Sequence, residues 1–209
     1  MKVYEYKGFP NPTRVRIALA EKGLLDKVQF VHVDVPGGEH KKPAFLAKNP
    51  SGAVPLLELD DGTLISECTA ITEYLDNQDG NPVLTGRTAK ERAVVHMMQR
   101  RIEAGLLDAA AAYFHHATPG LGPEIETYQN PDWGQKQRER AVAMLYVLDG
   151  ELATRPYMAG EAFTMADISA MAGLSYAGFA GIETPAGLTH LAAWRERVDA
   201  RPSVAATTA

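Results

Sequence analysis

The spacing of apolar residues changes character near residue 80. Before that point, short strand-like runs alternate with helical ones. "KVYEY" is β-rich, and "TRVRIALAEKG" sets Val15 and Leu19 one helical turn apart before Gly23, where a helix C′ glycine belongs. "VQFVHVDV" alternates, with Val31, Val33 and Val35 making one face apolar, and so predicts a strand. "PLLELDDGTLIS" predicts a hairpin about Asp61-Gly62, a strong tight-turn pair. "ECTAITEYLD" then places Ile71, Tyr74 and Leu75 at i, i+3 and i+4, a short amphipathic helix. The resulting order is β-α-β, an irregular stretch, then β-β-α.

"DGNPVLTGRT" (79–88) is polar and carries Gly and Pro, which marks it as a linker. Beyond it the strand signal vanishes. Residues 88–115 carry Val94, Met98, Ile102, Leu106, Ala109 and Tyr113 at steps of three and four, predicting one long helix that stops before Thr118-Pro119-Gly120. Helical patterns recur at 133–154 (Val142, Leu145, Leu148, Leu152), 165–181 and 188–200. "TMAD" (164–167) reads as a capping box, with Thr164 accepting from the third-residue amide and Asp167 reaching back. The expected fold is a small α/β domain over residues 1–80 followed by an all-helical domain over 88–209.

Composition narrows the function classes. The 209 residues, 45% hydrophobic and 22% charged, suffice for a sizeable buried core. A net charge of −5, with basic residues only in small groups such as Lys41-Lys42 and Arg100-Arg101, argues against nucleic acid and acidic membrane surfaces as partners. No apolar run is long enough to span a bilayer, and "MKVYEYKG" enters a strand with no signal-peptide core, so a cytoplasmic location is expected. One cysteine, Cys68, excludes an internal disulfide. His96, His115 and His116 lack carboxylates or cysteines at metal-ligand spacing, and no metal is expected.

"NPSGAVPLL" (49–57) spends five turn residues before a strand that opens on Val54-Pro55. Proline removes a ladder donor, and an X-Pro bond after a tight turn suggests a cis peptide. That geometry would turn the N–H and C=O of Val54 toward an extended peptide, a one-residue version of strand addition. Just downstream, Ser66-Glu67-Cys68 opens a helix. Helix-start amides attract a carboxylate, and Glu67 attracts an amine. A ligand with a backbone-like middle and an amino-acid head satisfies all of these groups, and glutathione is such a ligand.

"NPSGAVPLLELDDGTLISECTAITEYLD" resembles the amino-terminal half of glutathione S-transferases. "EHKKPAFLAKNPSG", "RVRIALAEKG", "YFHHATPGLGPE" and "FTMADIS" extend the resemblance over essentially the whole chain and point to the atypical fungal-type branch and its bacterial relatives. The resemblance implies a thioredoxin-like first domain, glutathione as cosubstrate, a homodimer, and conjugation of small apolar electrophiles. It implies that Val54, with Pro55 cis, pairs with the cysteinyl part of glutathione and that Glu67 holds the γ-glutamyl amine. Cys68, where most members carry Ser, would meet the adjoining carboxylate through the helix-start amides, and His40 with Lys41 would face the glycine carboxylate. Each has a simpler alternative: Glu67 suits a helix dipole, His40 and Lys41 suit a loop surface, and Cys68 suits a core.

The resemblance also exposes a gap. Conjugation needs the thiolate, and in several branches the stabilising donor lies five residues before the arginine of "RVRI", which here is Phe9. A phenyl ring cannot donate. Asn11, in "FPNPT" ahead of the first helix, is the first substitute, and Tyr6 is the second. The fungal-type water held by polar side chains would fall at Gly105 and Ala111, and neither can hold a proton. The electrophile pocket is expected at Phe9, Tyr113 and His116, between the domains. The alternatives to conjugation are glutathione-dependent disulfide or peroxide reduction, and a non-catalytic glutathione- or partner-binding module.

Overall fold

Strand β1 (Lys2–Glu5) buries alternate residues, Val3 and Glu5, and leads into helix α1 (Pro10–Glu21). The computed structural model describes residues 1–208. After α1 come β2 (Gln29–His32), a 3-10 turn at Glu39–Lys41, the short helix α2 (Pro43–Leu46), β3 (Leu56–Glu58), β4 (Leu64–Ser66) and α3 (Cys68–Asn77). The strands form one mixed sheet in the order β2-β1-β3-β4. β1 runs parallel to β2 and antiparallel to β3, with Val3 opposite Phe30 and Leu57. The hairpin at Asp61-Gly62 pairs β3 with β4, with Leu56 opposite Ser66.

Because side chains alternate across a pleated strand, each sheet face collects its own core. Val3 and Leu57 meet Val15 and Leu19 of α1 and Ile71 and Leu75 of α3 on one face. Tyr4 and Leu56 meet Phe45 of α2, Val33 and Val54 on the other. Burying each such aliphatic side chain contributes about 1.5–3 kcal/mol. This is the thioredoxin-like arrangement that the resemblance implied.

The chain divides at Leu84–Thr85. Asp76, fully buried in α3, fixes the first half of the expected linker: its carboxylate accepts from the amides of Val83 and Leu84 at 2.9 Å each. Lys22 adds bonds to the carbonyls of Asp76 (2.9 Å) and Asn81 (2.8 Å). The C-terminal boundary also needs correction. Residues 88–209 were expected as one helical domain, but the last helix, α9 (Pro202–Thr208), groups with residues 1–84. It packs on α1, with Val204 buried and the Ser203 hydroxyl donating to Glu21.

The second unit, Thr85–Arg201, is helical. α4 (Ala89–Ile102) starts from a capping box made by Thr88 and Glu91. The helix expected over 88–115 is interrupted by a π-helical turn at Glu103–Leu107 and resumes as α5 (Asp108–Ala117). α6 (Pro131–Leu152), α7 (Met165–Phe179) and α8 (Thr189–Asp199) complete the unit. The Thr164/Asp167 box is present. Asp167 lies fully buried and also accepts from Met158 N–H (2.9 Å) and Trp194 Nε1 (2.8 Å). α7 approaches the π-turn closely enough that a Cβ on Gly173 would lie 2.8 Å from the Leu106 side chain. No helix among the described residues is long and apolar enough to cross a membrane.

Candidate active site

The turn before β3 is built from its own side chains. Asn49 is buried and donates from Nδ2 to Ala53 O at 2.8 Å, while its Oδ1 accepts from the Ser51 hydroxyl at 2.9 Å. Gly52 adopts φ +56, where a side chain is disfavoured, and a Cβ there would lie 3.0 Å from His40 O. The Val54-Pro55 bond is cis. Pairing with β1 begins only at Leu56, opposite Tyr4. Among the described residues, nothing hydrogen-bonds to the Val54 N–H or C=O. The backbone is therefore bare at one residue, just before β3, while the Val54 side chain packs on the core.

Val54 and Pro55 lie just before β3, at the sheet end where β1 runs out toward Tyr6 and β4 runs out through Ser66 to Glu67 and Cys68. Glu67 is exposed and has φ +70, the sole positive φ of a non-glycine among the described residues. Such a conformation costs about 1–3 kcal/mol and persists where the surroundings dictate it. Glu67 is the N-cap of α3, yet its side chain makes no capping bond. Its carbonyl accepts from Ile71 N–H at 2.9 Å, so the helix starts properly while the carboxylate stays outside. The first amides of any helix have no carbonyl partner within it, and those of α3 begin at Cys68.

The Cys68 side chain points inward. It is 7% exposed, belongs to the sheet–helix core, and lies 3.5 Å from Asn11 O, its thiol donating. Its sulfur is turned to this core contact, and Cys68 is the first residue of α3. The same bond ties the start of α3 to the start of α1. His40 is buried, and burial together with the neighbouring Lys41 charge pushes its pKa below the usual imidazole value. Its Nδ1 meets no hydrogen-bond partner among the described residues. Lys41 is exposed and donates from Nζ to Gly52 O at 2.8 Å. That bond brings the 3-10 turn beside the residues before Val54.

Asn11 was expected ahead of the helix but stands in its first turn, between Pro10 and Pro12. Proline is tolerated there because first-turn amides need no helical acceptor. Asn11 Oδ1 accepts from Arg14 Nη1 at 3.1 Å. With the oxygen committed, the NH₂ end is the donor left over. Phe9 is the N-cap of α1, with its ring 4.5 Å from that of Tyr6. Tyr6 is half-buried and also stacks with His32 at 5.3 Å, a neighbour that sequence reading did not single out. Of the water-holding positions, Gly105 is buried under Met144 and Ala111 is a half-buried methyl.

In the helical unit, Tyr113 is half-buried on α5. His116 Nδ1 accepts from Asn130 N–H at 3.1 Å, so this imidazole helps to hold the entry to α6. His115, set aside by the sequence reading, makes the more connected cluster: Nδ1 lies 2.7 Å from Glu126 and Nε2 lies 3.2 Å from the Tyr176 hydroxyl. No spacing rule reveals it, because the three residues come from a helix, a loop and a distant helix.

A thioredoxin-like unit with one bare backbone residue beside a helix start, followed by a helical unit, defines a two-unit class of proteins whose first unit can take an extended peptide. The chain belongs to the glutathione S-transferase family: the family models for the N-terminal and C-terminal domains match residues 10–78 and 110–202. It is therefore a glutathione transferase that uses glutathione as cosubstrate. It is 56% identical over 204 residues to Glutathione S-transferase 2 of Saccharomyces cerevisiae, covering 98% of this chain and 88% of that protein. The crystal structure of Gtt2 from Saccharomyces cerevisiae superposes with a TM-score of 0.97 at 55% identity, covering 99% of this chain and 100% of that one. That of a glutathione S-transferase domain-containing protein from Marinobacter aquaeolei gives 0.95 at 59% identity, covering 98% and 100%. The fungal-type branch with bacterial relatives, expected from the sequence, agrees with both.

Proposed function

We propose that this protein joins the glutathione thiolate to small apolar electrophiles, and that Asn11 replaces the missing donor at Phe9. The observation that carries the reading is the convergence at one sheet end of the bare Val54 backbone, the strained Glu67 and the start of α3. Val54 pairs with the cysteinyl residue, Glu67 takes the γ-glutamyl amine, and the amides from Cys68 onward take its carboxylate. His40 and Lys41 meet the glycine carboxylate. Phe9, Tyr113 and His116 contact the electrophile, and the working form is a homodimer.

A free thiol ionises near ~8.5. One hydrogen bond from the Asn11 amide to the anion is worth about 1.5–3 kcal/mol, which lowers the bound thiol by roughly one to two pH units. Ultraviolet absorbance of the thiolate, followed as glutathione is titrated with protein across a pH series, measures this directly. Asn11→Ala should return the midpoint toward the free value, while Tyr6→Phe should leave it nearly unchanged. The reverse ranking transfers the role to Tyr6. Glutathione that binds yet ionises at its free value would overturn thiol activation and leave a binding module.

A further inference from the structure

Two adjacent histidines in the last turn of α5 make opposite demands on their ring protons. His115 Nδ1 lies 2.7 Å from Glu126 Oε1, which also accepts from Leu121 N–H at 2.9 Å. A carboxylate only accepts, so this Nδ1 carries a proton in the neutral and in the charged ring alike. The Tyr176 hydroxyl, 3.2 Å from His115 Nε2, can donate to that nitrogen or accept from it. His116 Nδ1 instead accepts from the backbone N–H of Asn130 at 3.1 Å. A ring nitrogen accepts only while it is unprotonated, so this imidazole is neutral with its proton on Nε2. A further proton leaves the His115 contact standing and removes the His116 one.

The contact that titrates sits at a joint. Asn130 is the N-cap of α6, and its Oδ1 accepts from Trp133 N–H at 3.0 Å. The His116 bond therefore fastens the end of one helix to the start of the next. The two meet closely there, since a Cβ on Gly134 would lie 2.6 Å from the Ala117 side chain. Gln129 Nε2 holds the carbonyls of His115 and Thr118 at 2.8 Å each, through groups that do not titrate. Around His116, the loop presents Tyr128, with its ring centroid 6.0 Å from the imidazole. α6 brings Asp132 in its first turn and Arg138 one turn beyond Gly134. α5 adds His115, which is engaged by Glu126 and by Tyr176 of α7. No carboxylate pairs with the His116 ring among the described residues. A cation in the last turn of α5 suits the carbonyl end of that helix. The ring thus has two alternatives, a bond to Asn130 when neutral and the helix end when charged.

We propose that His116 is an acid-operated latch between α5 and α6: neutral, it holds the Asn130 amide, and protonated, it releases the start of α6. One proton passes from solvent to Nδ1 and one hydrogen bond breaks, with no covalent change. The Glu126 side of the same loop stays fastened through His115, so the opening is confined to the joint. The latch lies wholly in the helical unit and stands whether or not the glutathione reading holds.

Hydrogen exchange of single amides, followed by NMR from about pH 8 to about pH 5 and corrected for intrinsic rates, tests the latch. Losing one hydrogen bond should lower protection of the Asn130 amide by about two- to tenfold as the pH falls through that range. Protection of the Leu121 amide, held by Glu126, should stay level. His116→Asn puts an oxygen that cannot take a proton near the place of Nδ1, so Asn130 protection should then be level as well. His116→Ala should leave it low at every pH. Level Asn130 protection in the unaltered protein, a parallel fall at Leu121, or a fall that survives in His116→Asn would each overturn the proposal. Ring-nitrogen NMR shifts of the unaltered protein decide the matter without any variant: a His116 proton on Nε2 at the alkaline end supports the latch, and one on Nδ1 overturns it.

Discussion

Glu67 carries two obligations that one substitution separates. Its φ of +70 is a glycine-like conformation, and a residue with a Cβ pays about 1–3 kcal/mol to hold it. Glu67→Gly removes that cost but adds about 0.5–1 kcal/mol of chain entropy to the unfolded state. The balance is a gain of about 1 kcal/mol, or roughly 2–4 °C in Tm for a chain of this size. The same change removes the carboxylate assigned to the γ-glutamyl amine. A charge-assisted hydrogen bond contributes about 1.5–3 kcal/mol, so Kd for glutathione should rise about ten- to a hundredfold. Glu67→Gln keeps the backbone cost and the shape but loses the charge; it should weaken binding with Tm almost unchanged. Calorimetric melting and isothermal titration of the three proteins provide both readouts. A lower Tm in Glu67→Gly with glutathione affinity intact would refute the reasoning on both counts.

Gly52→Ala puts a Cβ 3.0 Å from His40 O at a φ of +56; it should cost about 1–2 kcal/mol in the left-handed region and weaken glutathione binding in titration calorimetry by displacing His40 and Lys41. Asp167→Ala strands the Met158 and Thr164 amides and the Trp194 indole N–H. At about 1–3 kcal/mol for each buried donor, a Tm drop of at least about 6 °C is expected in scanning calorimetry. His40 has its pKa lowered in the folded protein, chiefly by burial, so below the unfolded value of 6.5 the unfolded chain binds more protons and stability falls on acidification. His40→Gln should flatten that part of the stability–pH curve measured by denaturant titration between pH 7 and the lowered folded value; an unchanged slope assigns the acid sensitivity elsewhere.

Local chemistry made much of this fold legible. The Asp61-Gly62 hairpin, the Thr164/Asp167 box and the cis Val54-Pro55 bond each depend on a few adjacent residues, and each was visible in the sequence. What escaped depends on partners far along the chain. "PSVAATT" has no marked period, and α9 is defined by Val204 and Ser203 meeting α1. The π-turn at Glu103–Leu107 leaves the three-and-four spacing almost intact, so the sequence read straight through it. At the site, the backbone cradle was readable because turn residues announce it. The Glu126–His115–Tyr176 chain was not, because only packing brings its members together.

Phe9 becomes less anomalous once the first turn of α1 is counted amide by amide. An N-cap oxygen works by accepting from the N2 or N3 amide, but Pro10 and Pro12 at N1 and N3 have no N–H to offer. A hydroxyl at residue 9 would find one backbone donor, that of Asn11, so its loss costs the helix little. Thr13 closes the turn instead, with its amide and its hydroxyl each 3.0 Å from Phe9 O. The same two prolines strip the helix start of most of the N–H groups that would attract an anion there. Any positive potential offered to a sulfur anion from this turn is therefore concentrated on Asn11, through its amide and the NH₂ that Arg14 leaves available by holding the oxygen. The Pro-Asn-Pro sequence thus removes the need for a polar cap and leaves Asn11 as the one residue among the first three of the helix with a backbone N–H to offer. That is why the absence of serine or tyrosine at residue 9 does not by itself imply the absence of a thiolate site.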